Sequence, residues 1–201
     1  MKYSLCTFVL CAFLFSACGP VQQVSRVASD TQTDLSGKWN DTDARLVAEE
    51  MISGAVSSAW LQNFTEENGE PPVVIVGRVR NETMEHIDTD VITKEMERAF
   101  INSGKVQVVA SKTERRQIRE EREDQQSFSS YESAKNLAQE VGADFMLIGN
   151  ISSILDESAS GKDAAIFYDV NLELIDVETN RKVWIDDKEI KKLIERRKLR
   201  G

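Results

Sequence analysis

Two periods of apolar residues alternate along the chain, and the change from one to the other outlines its helices and strands. A period near 3.6 residues predicts helices over residues 42–62, 88–103, 113–126 and 131–141. Short apolar or alternating runs predict strands over residues 73–79, 105–110, 143–155, 164–177 and 182–190.

The order of these elements predicts an α+β fold. The strand–helix–strand unit over residues 73–110 fits a right-handed crossover between two parallel strands. Short polar connections join the last three strands, which is typical of an antiparallel meander. We therefore expect a single mixed sheet of about five strands packed with helices, in one domain over residues 41–192.

The N-terminal segment has the pattern of an export signal. Its apolar run, Leu5–Phe15, is shorter than the roughly 20 residues that a membrane-spanning helix needs. The small residues that follow, in the run S-A-C-G around Cys18, resemble a bacterial lipobox. This resemblance implies a signal peptide over residues 1–17 and a lipid on Cys18. An ordinary signal peptide cut elsewhere and an uncleaved anchor are the alternatives.

Two further segments flank the predicted domain. Residues 18–40 are rich in Ser, Thr, Gln and Asp and have no sustained period, so after the lipidated cysteine they predict a flexible tether. Residues 193–201 form a basic C-terminal tail on an otherwise acidic chain. Such a tail is either solvated or touches anionic lipid headgroups.

Composition narrows the functions that remain. The chain has 201 residues, 34 acidic against 25 basic, and a net charge of -9, which argues against a nucleic-acid partner. It has one histidine, which excludes a multi-histidine metal site. Cys6 and Cys11 lie in the segment that would be removed, so Cys18 alone would remain. We therefore expect no disulfide, no metal and no cofactor.

Motifs for catalysis are not found in the sequence. It contains no G-x-S-x-G, no phosphate-binding loop, no G-x-G-x-x-G and no H-E-x-x-H. Carboxylates are plentiful, but nothing in the sequence selects a pair that could flank a sugar bond. The chain is therefore predicted not to be an enzyme.

The most informative stretch follows the first predicted strand. It contains N-x-T-x-x-H-I-D-T over residues 81–89, and G-A-D, L-I-D-V-E-T and V-W follow in order at residues 142–144, 174–179 and 183–184. Over residues 40–192 the chain resembles the LpoB-type activators of penicillin-binding proteins, although its tether is shorter than in enterobacterial members.

The resemblance implies a lipid-anchored, periplasm-facing protein of the outer membrane. Such a protein binds and activates a peptidoglycan synthase, a class A penicillin-binding protein, and so regulates cell-wall synthesis. The resemblance also implies a fold similar to the N-terminal domain of TolB. It leaves the oligomeric state open.

The candidate partner-contact residues lie at the end of the first predicted strand and in the segment after it. They are Arg78, Arg80, Asn81, Thr83 and His86. Two interpretations stay open. The residues form a docking surface, or Asn81 and Thr83 build local turns while the arginines pair with nearby acids.

A different class of function is the alternative. The order of elements also resembles the periplasmic core of CsgG, a lipoprotein that forms an oligomeric secretion pore. Such a pore needs two additional long hairpins, and the polar connection over residues 156–163 is too short to hold one.

Overall fold

The structure is a computed structural model that describes residues 23–28, 31–128 and 142–195. The chain divides into two units, residues 1–31 and 32–201, and all described helices and strands belong to the second. The helices are α1 (Asp41–Ala55), α2 (Ala59–Asn68), α3 (Thr89–Ser103) and α4 (Lys112–Phe128). The strands are β1 (Val73–Asn81), β2 (Gln107–Val109), β3 (Phe145–Glu157), β4 (Asp163–Asp176) and β5 (Lys182–Glu195).

The strands form one mixed sheet in the order β2-β1-β3-β4-β5. β1 lies in parallel between β2 and β3, as a crossover through α3 requires. β3, β4 and β5 pair antiparallel in sequence order. The predicted α+β class, the five-strand mixed sheet and its C-terminal meander are confirmed.

One face of the sheet carries the core. Every second side chain of β4 is buried on this face, from Ala164 to Leu174. Helices α1 and α3 pack against each other and against the sheet, and Ile52, Ile92 and Phe100 are fully buried between these layers. The alternate side chains point to the other side of the sheet, called here the open face. They are half-buried or exposed.

The predicted helix over residues 42–62 is wrong in one respect, because the structure breaks it into α1 and α2. Ser57 and Ser58 donate their hydroxyls to the carbonyls of Ser53 and Gly54, which takes acceptors from the last turn of α1. The indole of Trp60 donates to the carbonyl of Ala55 at 2.7 Å. The break lets the ring of Trp60 meet Phe145 edge-on, with centroids 5.1 Å apart.

The end of the expected flexible tether also differs from the prediction, because residues Asp34–Trp39 pack on the domain. We call these residues the strap. Lys192 of β5 donates to the carboxylate of Asp34 at 2.8 Å and to the carbonyl of Lys38 at 3.0 Å. Gly37 lies so close to Ile194 that a Cβ on it would be 2.5 Å from that side chain.

The C-terminal strand is longer than expected. The pattern predicts a strand over residues 182–190, whereas β5 continues to Glu195 and so includes the start of the basic tail. Helix α4 likewise continues to Phe128, beyond the predicted end at residue 126. The signal peptide, Cys18, the predicted helix over residues 131–141 and residues 196–201 lie outside the described residues.

Helix ends follow their capping residues. Asp88 caps α3, with its carboxylate accepting from the backbone N–H of Asp90, and Gly104 ends that helix with a φ of 66°. The start of α4 is a capping box in which Ser111 and Glu114 exchange hydrogen bonds between side chain and backbone. Glu114 also binds Lys94 of α3 at 2.8 Å and thereby ties α4 to α3.

We expect Glu114→Gln to make the domain less sensitive to acid. The hydrogen bond from Lys94, followed by those from Ser111, lowers the pKa of Glu114 to about 2. Because the pKa is lowered in the folded state, the ionised carboxylate of Glu114 stabilises the fold above pH 4.5. This contribution is lost as the pH falls toward 2. The contribution is below about 1 kcal/mol, because solvent screens a side chain that is 41% exposed.

Urea unfolding at pH 7 and at successively lower pH values down to 2 measures this effect. The stability difference between the wild type and Glu114→Gln should shrink toward zero as the pH falls. A difference that stays constant over that range would show that the carboxylate charge is not what stabilises this junction.

Candidate functional site

Three of the candidate residues, Asn81, Thr83 and His86, lie in a tight turn, residues 81–88, at the end of β1. The side-chain oxygen of Asn81 accepts from the backbone N–H of Thr83 at 3.0 Å and from its hydroxyl at 2.8 Å. The amide of Asn81 donates to the carbonyl of Glu85, and the hydroxyl of Thr83 accepts from the N–H of Glu85. Asn81 and Thr83 therefore hold the turn together, as the structural interpretation of the motif predicts.

Glu85 fastens the turn to the rest of the domain. The phenol of Tyr168, which is fully buried in β4, donates to one oxygen of Glu85 at 2.6 Å. The same phenol accepts from the backbone N–H of Trp39 in the strap at 3.0 Å. The rings of Trp39 and Tyr168 meet edge-on, with centroids 5.4 Å apart. One phenol thus joins the strap, the sheet and the turn.

The environment of Tyr168 keeps its phenol protonated. Burial raises the pKa of Tyr168, and the hydrogen bond to Glu85 with the negative charge of that carboxylate raises it further. The phenol therefore stays a donor to Glu85 throughout the neutral range.

Two side chains of the turn point outward instead. Met84 is fully exposed at 101% of its reference area, and His86 is exposed as well. Because hydrogen bonds already hold the backbone of the turn, contact through Met84 would not require the backbone to be ordered on binding. Sequence reasoning selected His86 but missed Met84, whose only signal was an apolar residue inside a polar segment.

The two arginines differ in their surroundings. Arg80 is exposed and forms an ion pair with Glu82 at 3.4 Å, which agrees with local pairing. Glu82 also accepts from the amide of Asn150 on the neighbouring strand at 3.3 Å. Arg78 is exposed and lies where the pairing of β1 with β3 shifts register between Val76 and Val79. Asn81, Thr83 and His86 therefore lie together in the turn, whereas Arg78 and Arg80 belong to β1, where Arg80 pairs with Glu82.

A second cluster of charges lies where the strap meets β5. The ammonium of Lys192 is only 10% exposed and contacts both Asp34 and Asp43, at 2.8 and 2.5 Å. Burial alone would lower the pKa of Lys192, but the hydrogen bonds that its ammonium donates to these carboxylates outweigh burial, and the pKa is raised. Asp43 is also the capping-box residue at the start of α1, so this lysine connects three elements.

Two of the carboxylates that line a groove share one counter-ion. A groove of about 820 Å³ lies between α3, β2 and α4, and Glu97 and Glu114 line it. Both carboxylates bind the same ammonium, that of Lys94, at 2.7 and 2.8 Å. Because Glu114 has a lowered pKa, it remains ionised and has no proton to donate near neutral pH.

Two searches within the described residues give negative results. In residues 23–28, 31–128 and 142–195 no group of three His, Cys, Asp or Glu side chains is placed to hold a metal ion. No helix in that part of the chain is both long enough and apolar enough to cross a membrane.

Comparison with known protein families identifies the family to which this chain belongs. The model of the family described as the peptidoglycan-synthase activator LpoB matches residues 43–190. The chain belongs to the LpoB family. No curated protein matches the sequence significantly.

Solved structures of LpoB and of one other lipoprotein are similar to this chain at low identity. The LpoB C-terminal domain from Escherichia coli is 18% identical, with a TM-score of 0.45, over 74% of this chain and 98% of that one. The corresponding domain from Salmonella enterica has the same identity and coverage and a TM-score of 0.44. Lipoprotein GNA1162 from Neisseria meningitidis is 16% identical, with a TM-score of 0.40, over 61% of this chain and 84% of that one.

The LpoB match and the strap occupy different parts of the chain. The match begins at Asp43, so it includes the turn, Glu85 and Tyr168 but not the strap residues Asp34 and Trp39. It ends at Ile190, before the strap's partner Lys192. The contacts of the turn with Tyr168 therefore lie within the LpoB region, whereas the strap adds contacts from outside it.

Proposed function

We propose that this LpoB-family chain binds and activates a periplasmic peptidoglycan synthase, a class A penicillin-binding protein, and has no catalytic activity of its own. The observation that carries the proposal is the match of the LpoB model, described as a peptidoglycan-synthase activator, over residues 43–190. This match favours the activator over the CsgG-like alternative. The turn at residues 81–88 supports it, because a well-anchored turn with exposed Met84 and His86 suits protein contact.

Stimulation requires that the chain prefer one state of the synthase. Binding shifts an equilibrium only by the difference in affinity for the two states, so the turn must contact a surface that changes between them. Anchoring both proteins in the cell envelope raises their effective concentration and makes a modest affinity sufficient.

The direct test uses the synthase of the same organism. The purified chain should increase glycan polymerisation or crosslinking by that synthase and should show neither activity alone. Failure to bind any class A synthase of the organism would refute the assignment as an activator.

The site of anchoring is part of the same proposal. We propose that Cys18 carries the lipid and that the domain faces the periplasm from the outer membrane. The resemblance of the run S-A-C-G to a lipobox supports the lipid on Cys18. Cys18→Ser should abolish incorporation of labelled palmitate and release the protein from the membrane fraction. Palmitate labelling that persists in this variant would contradict lipidation at Cys18.

We expect variants of the turn to separate binding from stability. Arg80→Glu, Met84→Ala and His86→Ala change exposed side chains, so each should leave the melting temperature unchanged and reduce stimulation by about fivefold or more. Asn81→Ala and Thr83→Ala remove hydrogen bonds within the turn and should cost about 1 kcal/mol each.

Lys162→Glu is the matched control for Arg80→Glu. Lys162 is exposed in the connection between β3 and β4, and its reversal changes the net charge by the same amount. It should affect neither stimulation nor stability. Equal losses of stability and stimulation in the His86 and Met84 variants would mean that the turn has only a structural role.

A further inference from the structure

The last strand of the sheet, β5, lies at its end and has no strand on its outer side among the described residues. β5 pairs with β4 along one side and is the end strand of the sheet. Among the residues that the structure describes, no backbone group hydrogen-bonds to its other side. Up to Ile194 this strand exposes donors and acceptors along that side, although the N–H of Asp187 donates to the carboxylate of Asp186 at 3.0 Å. Such an edge either joins another strand or must be protected from doing so.

Lysines often protect such edges, but those of β5 on the covered face are already bound. Lys188 contacts Glu50 of α1 at 2.6 Å, and Lys192 is held by Asp34 and Asp43. Neither ammonium is free to repel an approaching strand. On the open face, β5 presents two apolar residues at the ends of a charged stretch, Ile185 at 56% exposure and Leu193 at 74%.

We propose that the β5 edges of two copies of this chain pair antiparallel about a twofold axis and join the two sheets into one. The axis passes between the two copies at Glu189, so that this residue faces its own counterpart in the second copy. In this register Lys191 faces the partner's Asp187, and Leu193 faces the partner's Ile185. Each of these pairs occurs twice, so two ion pairs and two apolar pairs lie on the open face.

Geometry leaves few alternative registers. A twofold axis normal to the sheet keeps both open faces on the same side, so residues that face each other must share a face. The register centred on Lys188 would place Asp187 opposite the partner's Glu189. The register centred on Ile190 would place Lys188 opposite the partner's Lys192. Both bring like charges together, whereas the register centred on Glu189 has one like-charge contact, at the axis itself.

The covered face agrees with the same register. Trp184 and Ile194 are both half-buried apolar residues of β5, and this register makes each face the other across the axis. The turn at residues 81–88 follows β1, which is separated from β5 by β3 and β4. Pairing through β5 therefore leaves the turn exposed, and the proposal does not depend on the synthase being the partner.

Charge exchange tests the register. The full-length chain is extracted in detergent, and its mass is measured by sedimentation over a range of concentrations. Lys191→Glu and Asp187→Lys should each raise the dimer dissociation constant by at least about tenfold, because each creates two like-charge pairs. The double variant should return the constant to within about threefold of the wild-type value.

Controls separate this interface from other causes of association. Lys162→Glu should leave the dissociation constant unchanged, and circular dichroism confirms that each variant is folded. Glu189→Gln removes the repulsion at the axis and should tighten the dimer. Two lipidated chains that merely share a micelle would respond to none of these changes, and that insensitivity would overturn the proposal.

A single cysteine provides a second, independent test. Glu189→Cys faces its own copy and should form a disulfide-linked dimer under mild oxidation, since facing residues of paired strands lie within disulfide reach. Lys191→Cys faces Asp187 instead and, like the wild type, should remain unlinked. A chain that stays monomeric at all concentrations, or one in which both cysteine variants crosslink equally, would refute pairing through β5.

Discussion

Replacing Gly149 with alanine is expected to cost about 3 kcal/mol or more and to leave little folded domain. A Cβ on Gly149 would collide with the carbonyl oxygen of Asn171 and the side chain of Leu172, both in the adjacent strand β4. The carbonyl belongs to the ladder between β3 and β4, so it cannot move without breaking the pairing at the centre of the sheet.

Urea unfolding followed by circular dichroism measures this loss. Gly142→Ala is the matched control, because a Cβ there has nothing within 4 Å, and its stability should change by less than about 0.5 kcal/mol. A Gly149→Ala protein as stable as the control would show that the two strands can separate locally at no cost.

Tyr168→Phe is expected to destabilise the domain by about 2 kcal/mol, although it removes a single oxygen atom. The ring keeps its volume and its contact with Trp39, so the loss arises from the hydrogen bonds. Without the phenol, Glu85 loses its 2.6 Å partner, and the N–H of Trp39 retains only the longer contact to Glu85 at 3.4 Å. Both the strap and the turn should become more open to hydrogen exchange.

The pH dependence separates this effect from simple loss of packing. Because burial and Glu85 raise the pKa of Tyr168 in the folded state, the phenol ionises first in the unfolded chain. Its contribution is complete below a pH of about 10 and falls as the pH rises further. Tyr168→Phe should lack this alkaline component, and a double-mutant cycle with Glu85→Gln should show a coupling of about 1 kcal/mol or more.

If the free energy of unfolding falls equally with rising pH above about 10 in the wild type and in Tyr168→Phe, the ionisation of Tyr168 is not coupled to unfolding. If the effects of the Tyr168 and Glu85 substitutions on stability are additive, the hydrogen bond between these two side chains is not the source of the stabilisation.

Local patterns predicted those parts of the fold that local chemistry determines. The alternation from Ile166 to Leu174 identified β4 and its buried face, because a strand with one face on the core must alternate. Asp88 and Gly104 identified the ends of α3, because capping depends on residues close in sequence.

Contacts between distant residues determine what the pattern did not predict. The break between α1 and α2 permits Trp60 to reach Phe145, and no local period shows that contact. The strap was interpreted as tether because its composition is polar, whereas Trp39 is fixed by Tyr168, 129 positions away. Contacts with distant residues therefore order a segment whose polar composition alone predicts flexibility.

In the candidate site, too, local contacts were predicted from the sequence and long-range contacts were not. The roles of Asn81 and Thr83 were foreseen as one alternative, because their hydrogen bonds reach only a few residues along the chain. Glu85 was not foreseen, because its importance depends on Tyr168, 83 positions away. Exposure of Met84 follows from the direction of the turn, which composition does not specify.

The order of the strands also determines the sequence of events by which the domain forms. The meander β3-β4-β5 joins strands that are neighbours in the chain, so it closes short loops and can form early. β1 lies near the N-terminus, yet its partner β3 begins only at Phe145. A chain that emerges with its N-terminus first therefore cannot complete its sheet until most of its length is free. The unit of β1, α3 and β2 therefore waits for the C-terminal meander before the central pairing of β1 with β3 can form.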